Sequence, residues 1–107
     1  MLKFHNARRL AETWVQCVCG KGVELVQSST IAKPYGWVFF YQATAYLQNP
    51  NDVSQALGGN APFIIDRESG QITVLGTTLL IEEYLERFEA TLPQARLHFK
   101  PEQPAWL

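Results

Sequence analysis

The run Gly36–Ala43 (GWVFFYQA) constrains the fold of this chain more than any other segment. Aromatic and β-branched residues crowd it and no breaker falls inside, so it predicts a strand, and it is far too short to cross a membrane. Strand alternation puts Trp37, Phe39 and Tyr41 on one face and Val38, Phe40 and Gln42 on the other. Both rows are apolar. Such a strand belongs at the centre of a sheet, buried on both sides, or it leaves one aromatic row open as the anchor of an interface. Tyr35, set between Pro34 and Gly36 in a turn, is expected to be the most exposed of the set.

The flanking sequence supplies the rest of an α+β fold. Asn6–Cys19 predicts a first helix, with Ala7, Leu10, Ala11, Trp14, Val15 and Val18 on an apolar stripe, Asn6 as N-cap and Gly20 as stop. Val23–Gln27 and Ile31–Lys33 read as strands, the second ending at Pro34, whose missing N–H suits an edge or bulge. Thr44–Asn60 is irregular, with Asp52 placed to cap a short helix reaching about Leu57 and Gly58-Gly59-Asn60 ending it. Pro62–Arg67 and Gln71–Leu75 flank Glu68-Ser69-Gly70 and form a hairpin. A last helix, about Leu80–Thr91, follows Thr78 as its cap and stops at Pro93. This order predicts a mainly antiparallel sheet of about four strands, with both helices on one face and the other face free for water. The expectation is one domain over residues 1–107, with an irregular tail over 93–107 whose Leu97, Phe99, Trp106 and Leu107 dock on the body or on a partner.

Charge narrows the partners. Nine basic residues against ten acidic ones leave a net charge of −1, whereas a nucleic-acid binder needs a basic excess to neutralise phosphates. The N-terminus has no apolar stretch of a signal peptide, which points to the cytoplasm. Cys17 and Cys19 sit two apart on a helix, face different sides, and read as small apolar residues rather than a disulfide or a zinc site. His5 and His98 lie near opposite ends with no carboxylate or thiol at a catalytic spacing, and Gly58-Gly59-Asn60 lacks the lysine and hydroxyl of a phosphate loop. No catalytic residue, metal, cofactor or small-molecule substrate is expected. Glu82, Glu83, Glu86 and Glu89 recur at helical spacing, either as a solvated face or as an acidic patch that steers a basic partner.

Ile31–Tyr41 (IAKPYGWVFFY), Ala56–Pro62 (ALGGNAP), Ile65–Gly70 (IDRESG) and Gly76-Thr77 before Ile81–Leu85 (IEEYL) resemble, in that order, the immunity protein 35 family, which takes in small bacterial proteins of the YrhB type. The resemblance spans about residues 7–90. It implies an immunity protein of a polymorphic-toxin or secreted-effector system, which binds a cognate toxin domain, such as a papain-like peptidase or related enzyme, and blocks it. Pro34, Gly36, Phe39, Gly59, Pro62 and Asp66 match the family pattern as fold signatures, together with Tyr35, Trp37, Tyr41 and Asn60. Residues expected to touch the partner are Tyr35, Trp37, Tyr41, Asn60, Glu82, Glu83 and Glu86. The competing reading is a chaperone-like protein that accepts exposed apolar segments of many clients.

Overall fold

A computed structural model describes residues 1–107. Its elements are α1 (Phe4–Cys19), β1 (Val23–Leu25), β2 (Ile31–Lys33), β3 (Gly36–Phe39), β4 (Tyr41–Ala43), α2 (Thr44–Gln48), β5 (Phe63–Asp66), β6 (Ile72–Val74) and α3 (Ile81–Glu89). Single 3-10 turns occupy Gln27–Ser29, Val53–Gln55 and Gln94–Leu97. All strand pairs are antiparallel: β2-β3-β5-β6 form a four-stranded sheet, and β1 pairs with β4 in a second sheet of two strands. The class is α+β, with a helix at each end of the sheet-forming segment.

The aromatic run therefore serves two sheets. β3 has Trp37 opposite Ala32 and Ile65, whereas β4 leaves for β1, with Tyr41 opposite Leu25. Phe40 lies at the changeover, its carbonyl accepting from the Val26 amide at 2.8 Å. Strand propensity acts residue by residue and does not specify a neighbour, so one uninterrupted β-rich run can change partners unseen.

The two helices cover opposite faces rather than one. Phe4, Ala7, Ala11 and Val15 of α1 pack on Trp37, Phe39, Tyr41, Phe63 and Ile65. Ile81, Leu85 and Phe88 of α3 pack on Tyr35, Val38 and Ile64. A strand apolar on both faces requires this, because leaving either row in water forfeits about 1.5–3 kcal/mol per large side chain. The α1 side is an aromatic lattice: Phe4 meets Trp37 edge-on at 5.8 Å, stacks on Phe39 at 6.0 Å and meets Trp106 edge-on at 5.0 Å. Gly36 lies at the sheet centre because a Cβ there would run into the Ile65 carbonyl of the neighbouring strand.

Three cap expectations change. α1 begins at Phe4 with Lys3, not Asn6, in the cap position, and the Phe4 amide donates to Glu102 Oε2 at 3.0 Å. α3 begins at Ile81 after Leu80; Thr78 makes no cap, and its amide donates instead to the Tyr84 hydroxyl at 3.1 Å. Asp52 does act locally, accepting from the Ser54 amide at 3.2 Å, but over a 3-10 turn ending at Gln55, while the helix α2 was not expected at all. α2 is short and uncapped by side chains, so it carries no N-terminal signature to find.

The tail does dock on the body. Trp37 Nε1 donates to the Glu102 carbonyl at 2.8 Å, Arg67 Nη1 to that of Lys100 at 3.0 Å, and Arg8 Nη1 to that of Trp106 at 2.6 Å. Arg8 also lies 5.0 Å over the Trp106 ring. Residues 100–106 thereby close the open side of the aromatic lattice.

Candidate partner-binding surface

Three aromatics expected at the partner are inside the protein. Tyr35 and Trp37 have no exposed surface, and Tyr41 is 6% exposed. Tyr35 sits in a turn, yet α3 lies over it: its hydroxyl donates to Glu89 Oε2 at 2.8 Å, and Phe88 lies 5.3 Å from its ring. Lys33 Nζ approaches the same carboxylate oxygen at 3.4 Å. Burial, followed by that carboxylate, pushes the Tyr35 phenol far above its ordinary range, so it stays neutral and donates at any physiological pH. Burial, then the adjacent Cys19 thiol, also raises the Tyr41 phenol.

The family-like residues act on the backbone. Asn60 Nδ2 donates to the Tyr41 carbonyl at 2.7 Å and fastens the 57–60 loop along the far edge of β4. Gly59 precedes it at φ 70°, a conformation that disfavours other residues. Pro62 is buried at the entry to β5, and Pro34 is half-buried in the turn between β2 and β3. Asp66 organises the hairpin: Oδ1 accepts from the Glu68 and Ser69 amides at 2.8 and 3.0 Å, and Oδ2 from Arg96 Nη2 at 2.8 Å. Burial works against its charge, but the Arg96 bond and the two amides outweigh it and hold the carboxyl below its ordinary value.

What remains outside is charged. Glu82, Glu83 and Glu86 are exposed on the outer side of α3, and none takes part in an ion pair. Glu83 and Glu86 line a shallow depression with Arg87 and Ala90. Glu89, the fourth of the run, turns inward to Tyr35 and Lys33.

The largest concavity was not foreseen. A groove of about 450 Å³ runs between α1 and β1, lined by Arg8, Glu12, Glu24, Leu25, Leu47 and Trp106 among others, and a second hollow of about 280 Å³ shares Glu12, Glu24 and Leu25 with it. Arg8 and Glu12 are paired at 3.2 Å, whereas Glu24 is exposed and unpaired. Its lining is gathered from α1, β1, α2 and the tail, so no local pattern announces it. The only hints were a carboxylate interrupting an apolar strand at Glu24 and an isolated tryptophan at Trp106.

Neither hollow contains a His or Cys. His5 and His98 are exposed, as is Cys17, and Cys19 is half-buried; both thiols are free. No group of three or more His, Cys, Asp or Glu is placed to hold a metal ion, and no helix is long and apolar enough to cross a membrane. These surfaces offer charge, which is one means of recognising a macromolecule.

Comparison with known proteins agrees with the resemblance in the residues. The chain is 46% identical over 54 residues to the uncharacterized protein YrhB of Escherichia coli (strain K12), a segment that covers 50% of this chain and 56% of that relative. The chain thus spans little more than half of the relative's length. No solved structure matches it significantly. The family described as Immunity protein 35 matches residues 5–91, which include the aromatic strands, the hairpin and α3. This chain belongs to the immunity protein 35 family.

Proposed function

We propose that the chain is a bacterial immunity protein that binds a cognate toxin or effector domain and neutralises it by occlusion. The family match over residues 5–91 carries this reading. The geometry adds to it: the family-like residues are spent on core and turns, and an outer skin of charge is left for recognition. Glu82, Glu83 and Glu86 on α3 are the proposed partner contacts, an unpaired acidic face suited to steering a basic toxin surface toward the complex. The toxin fits the class of papain-like peptidases or related enzymes. In this reading the protein works without catalysis or cofactor, in the cytoplasm of the producing cell.

The test is co-expression with the toxin encoded beside it. A 1:1 complex that survives gel filtration, and growth rescued in cells making the toxin, are expected. A chain that neither binds nor protects overturns the proposal. Glu83→Lys with Glu86→Lys should slow association and flatten the loss of binding with salt, while leaving the fold intact.

The chaperone-like reading is favoured by one observation, the apolar flank of α1, where Leu10 and Val18 are exposed. Suppression of the aggregation of unrelated proteins by the purified chain would support it over a specific inhibitor.

A further inference from the structure

The two sheets share no strand, so β1 is paired on one side alone, with β4. The Val26 amide donates to the Phe40 carbonyl at 2.8 Å and the Thr44 amide to that of Gly22 at 2.9 Å. Gly22 and Val26 therefore face β4, and antiparallel parity adds Glu24, which stands opposite Gln42. Val23 and Leu25 direct their N–H and C=O groups the other way, and no backbone bond from a turn or loop meets them.

This free edge opens into the groove. The hollow of about 280 Å³ lies between Glu12, Val15 and Gln16 of α1 and Val23, Glu24 and Leu25 of β1. The larger one, about 450 Å³, continues past Leu25 with Trp106 as a further wall. Val15 and Leu25 belong to the core cluster and give the floor an apolar lining. Strand alternation sends Leu25 inward and Glu24 to the outer face.

Charge decides what a segment laid along this edge must carry. The charged residues lining the two hollows are Arg8, Glu12 and Glu24. Arg8 Nε answers Glu12 at 3.2 Å, and Arg8 Nη1 is occupied by the Trp106 carbonyl. Glu24 is exposed and enters no ion pair. A strand added at the edge covers that carboxylate in part, and the cost of leaving it unanswered is offset by a Lys or Arg directly opposite. A second copy of β1 does not supply this. The two-fold pairing that uses both Val23 and Leu25 sets Glu24 against Glu24. Sliding by two residues parts the carboxylates but runs the pairing into the turns at either end of β1, with only one of the two free residues still bonded strand to strand.

We propose that the β1 edge takes an extended segment of the toxin as an added strand, with a Lys or Arg opposite Glu24 and the apolar residues on either side of it turned into the hollows. This rests on the proposed toxin binding and adds a second contact to it. Main-chain bonds hold the segment extended, and its alternate side chains select it. The acidic face of α3 speeds approach, whereas this edge slows departure.

Amide exchange in the complex with the toxin encoded beside this chain tests the inference. In the free chain the Glu24 amide should be protected by β4, while those of Val23 and Leu25 exchange fast. Complex formation should slow the latter two at least about tenfold. Glu24→Lys changes an exposed side chain and should keep the thermal midpoint, yet raise the dissociation rate at least about tenfold. Overlapping synthetic peptides of about twelve residues spanning the toxin, at millimolar concentration, should shift the Val23 and Leu25 amide signals only where Lys or Arg stands between apolar residues. A toxin that binds while those amides exchange freely, or that binds Glu24→Lys as tightly as the parent, overturns the inference and leaves the immunity function standing. A peptide set that never shifts those signals, or shifts them without a basic residue, overturns it too. So does protection gained by concentrating the free chain, which would put a second copy at the edge. A chain that binds no toxin overturns both readings.

Discussion

The two faces of β3 are held by different physics. On the α1 face Trp37 and Phe39 lie among Phe4, Phe63 and Ile65, and the tail closes the cluster with Trp106. On the α3 face Val38 and Ile64 meet Leu85, a smaller apolar contact edged by polar tethers: Tyr35 to Glu89, Lys33 to Glu89 and Asp66 to Arg96. Volume holds one face. Pinned charges help to hold the other, which tolerates a helix only nine residues long.

The comparison breaks most readily at Trp37. Replacing Trp37 by Ala should cost about 3–5 kcal/mol in denaturant unfolding, since the cavity lies at the centre of the lattice and the Glu102 carbonyl loses its donor. Leu85→Ala on the other face should cost about 2–3 kcal/mol. If Leu85→Ala proves the more damaging, the ranking of the faces is wrong. Glu102→Ala should cost about 1–2 kcal/mol by leaving the Phe4 amide unbonded and depriving buried Arg67 of the carboxylate 3.8 Å away. Tyr35→Phe should cost about 1 kcal/mol, because it removes one charge-assisted hydrogen bond and keeps the ring against Phe88.

Acid sharpens the contrast with the smallest effect. The Asp66 carboxyl is held below its unfolded value, so its contribution is fully present above the unfolded carboxylate range near pH 4 and is lost as pH falls through the lower folded value. Denaturant midpoints between pH 7 and pH 2.5 should fall less steeply for Asp66→Asn than for the parent chain. Equal slopes would mean that the Arg96 tether adds no stability.

Much of the fold could be read along the chain because it is written in local periods. The stripe of α1, the alternation of Gly36–Phe39 and the Asp66–Gly70 turn each depend on residues a few positions apart. Helices on opposite faces were implicit in the same alternation, since Val38 is as apolar as its neighbours Trp37 and Phe39. Tyr35 was misplaced because a turn flanked by Pro and Gly signals surface, and nothing nearby tells that Phe88 and Glu89 come to rest on it. The change of partner at Phe40 and the groove at β1 were out of reach, for both are made by segments distant in the chain. Asn60 stands out in its turn, but its role as a clasp on the Tyr41 carbonyl joins residues 19 positions apart, beyond the reach of any local pattern.

The bond from the Phe4 amide to Glu102 joins residues 98 positions apart. On the ribosome, the first helix emerges long before its capping carboxylate exists. Until then Phe4 and Trp37 lack Trp106 and the Glu102 carbonyl, and an aromatic cavity stays open to solvent and to other nascent chains. Closure of this core is therefore late: it is finished only when residues 96–106 have left the exit tunnel. A premature stop anywhere before them should yield a sticky, half-closed body rather than a shorter version of the same protein.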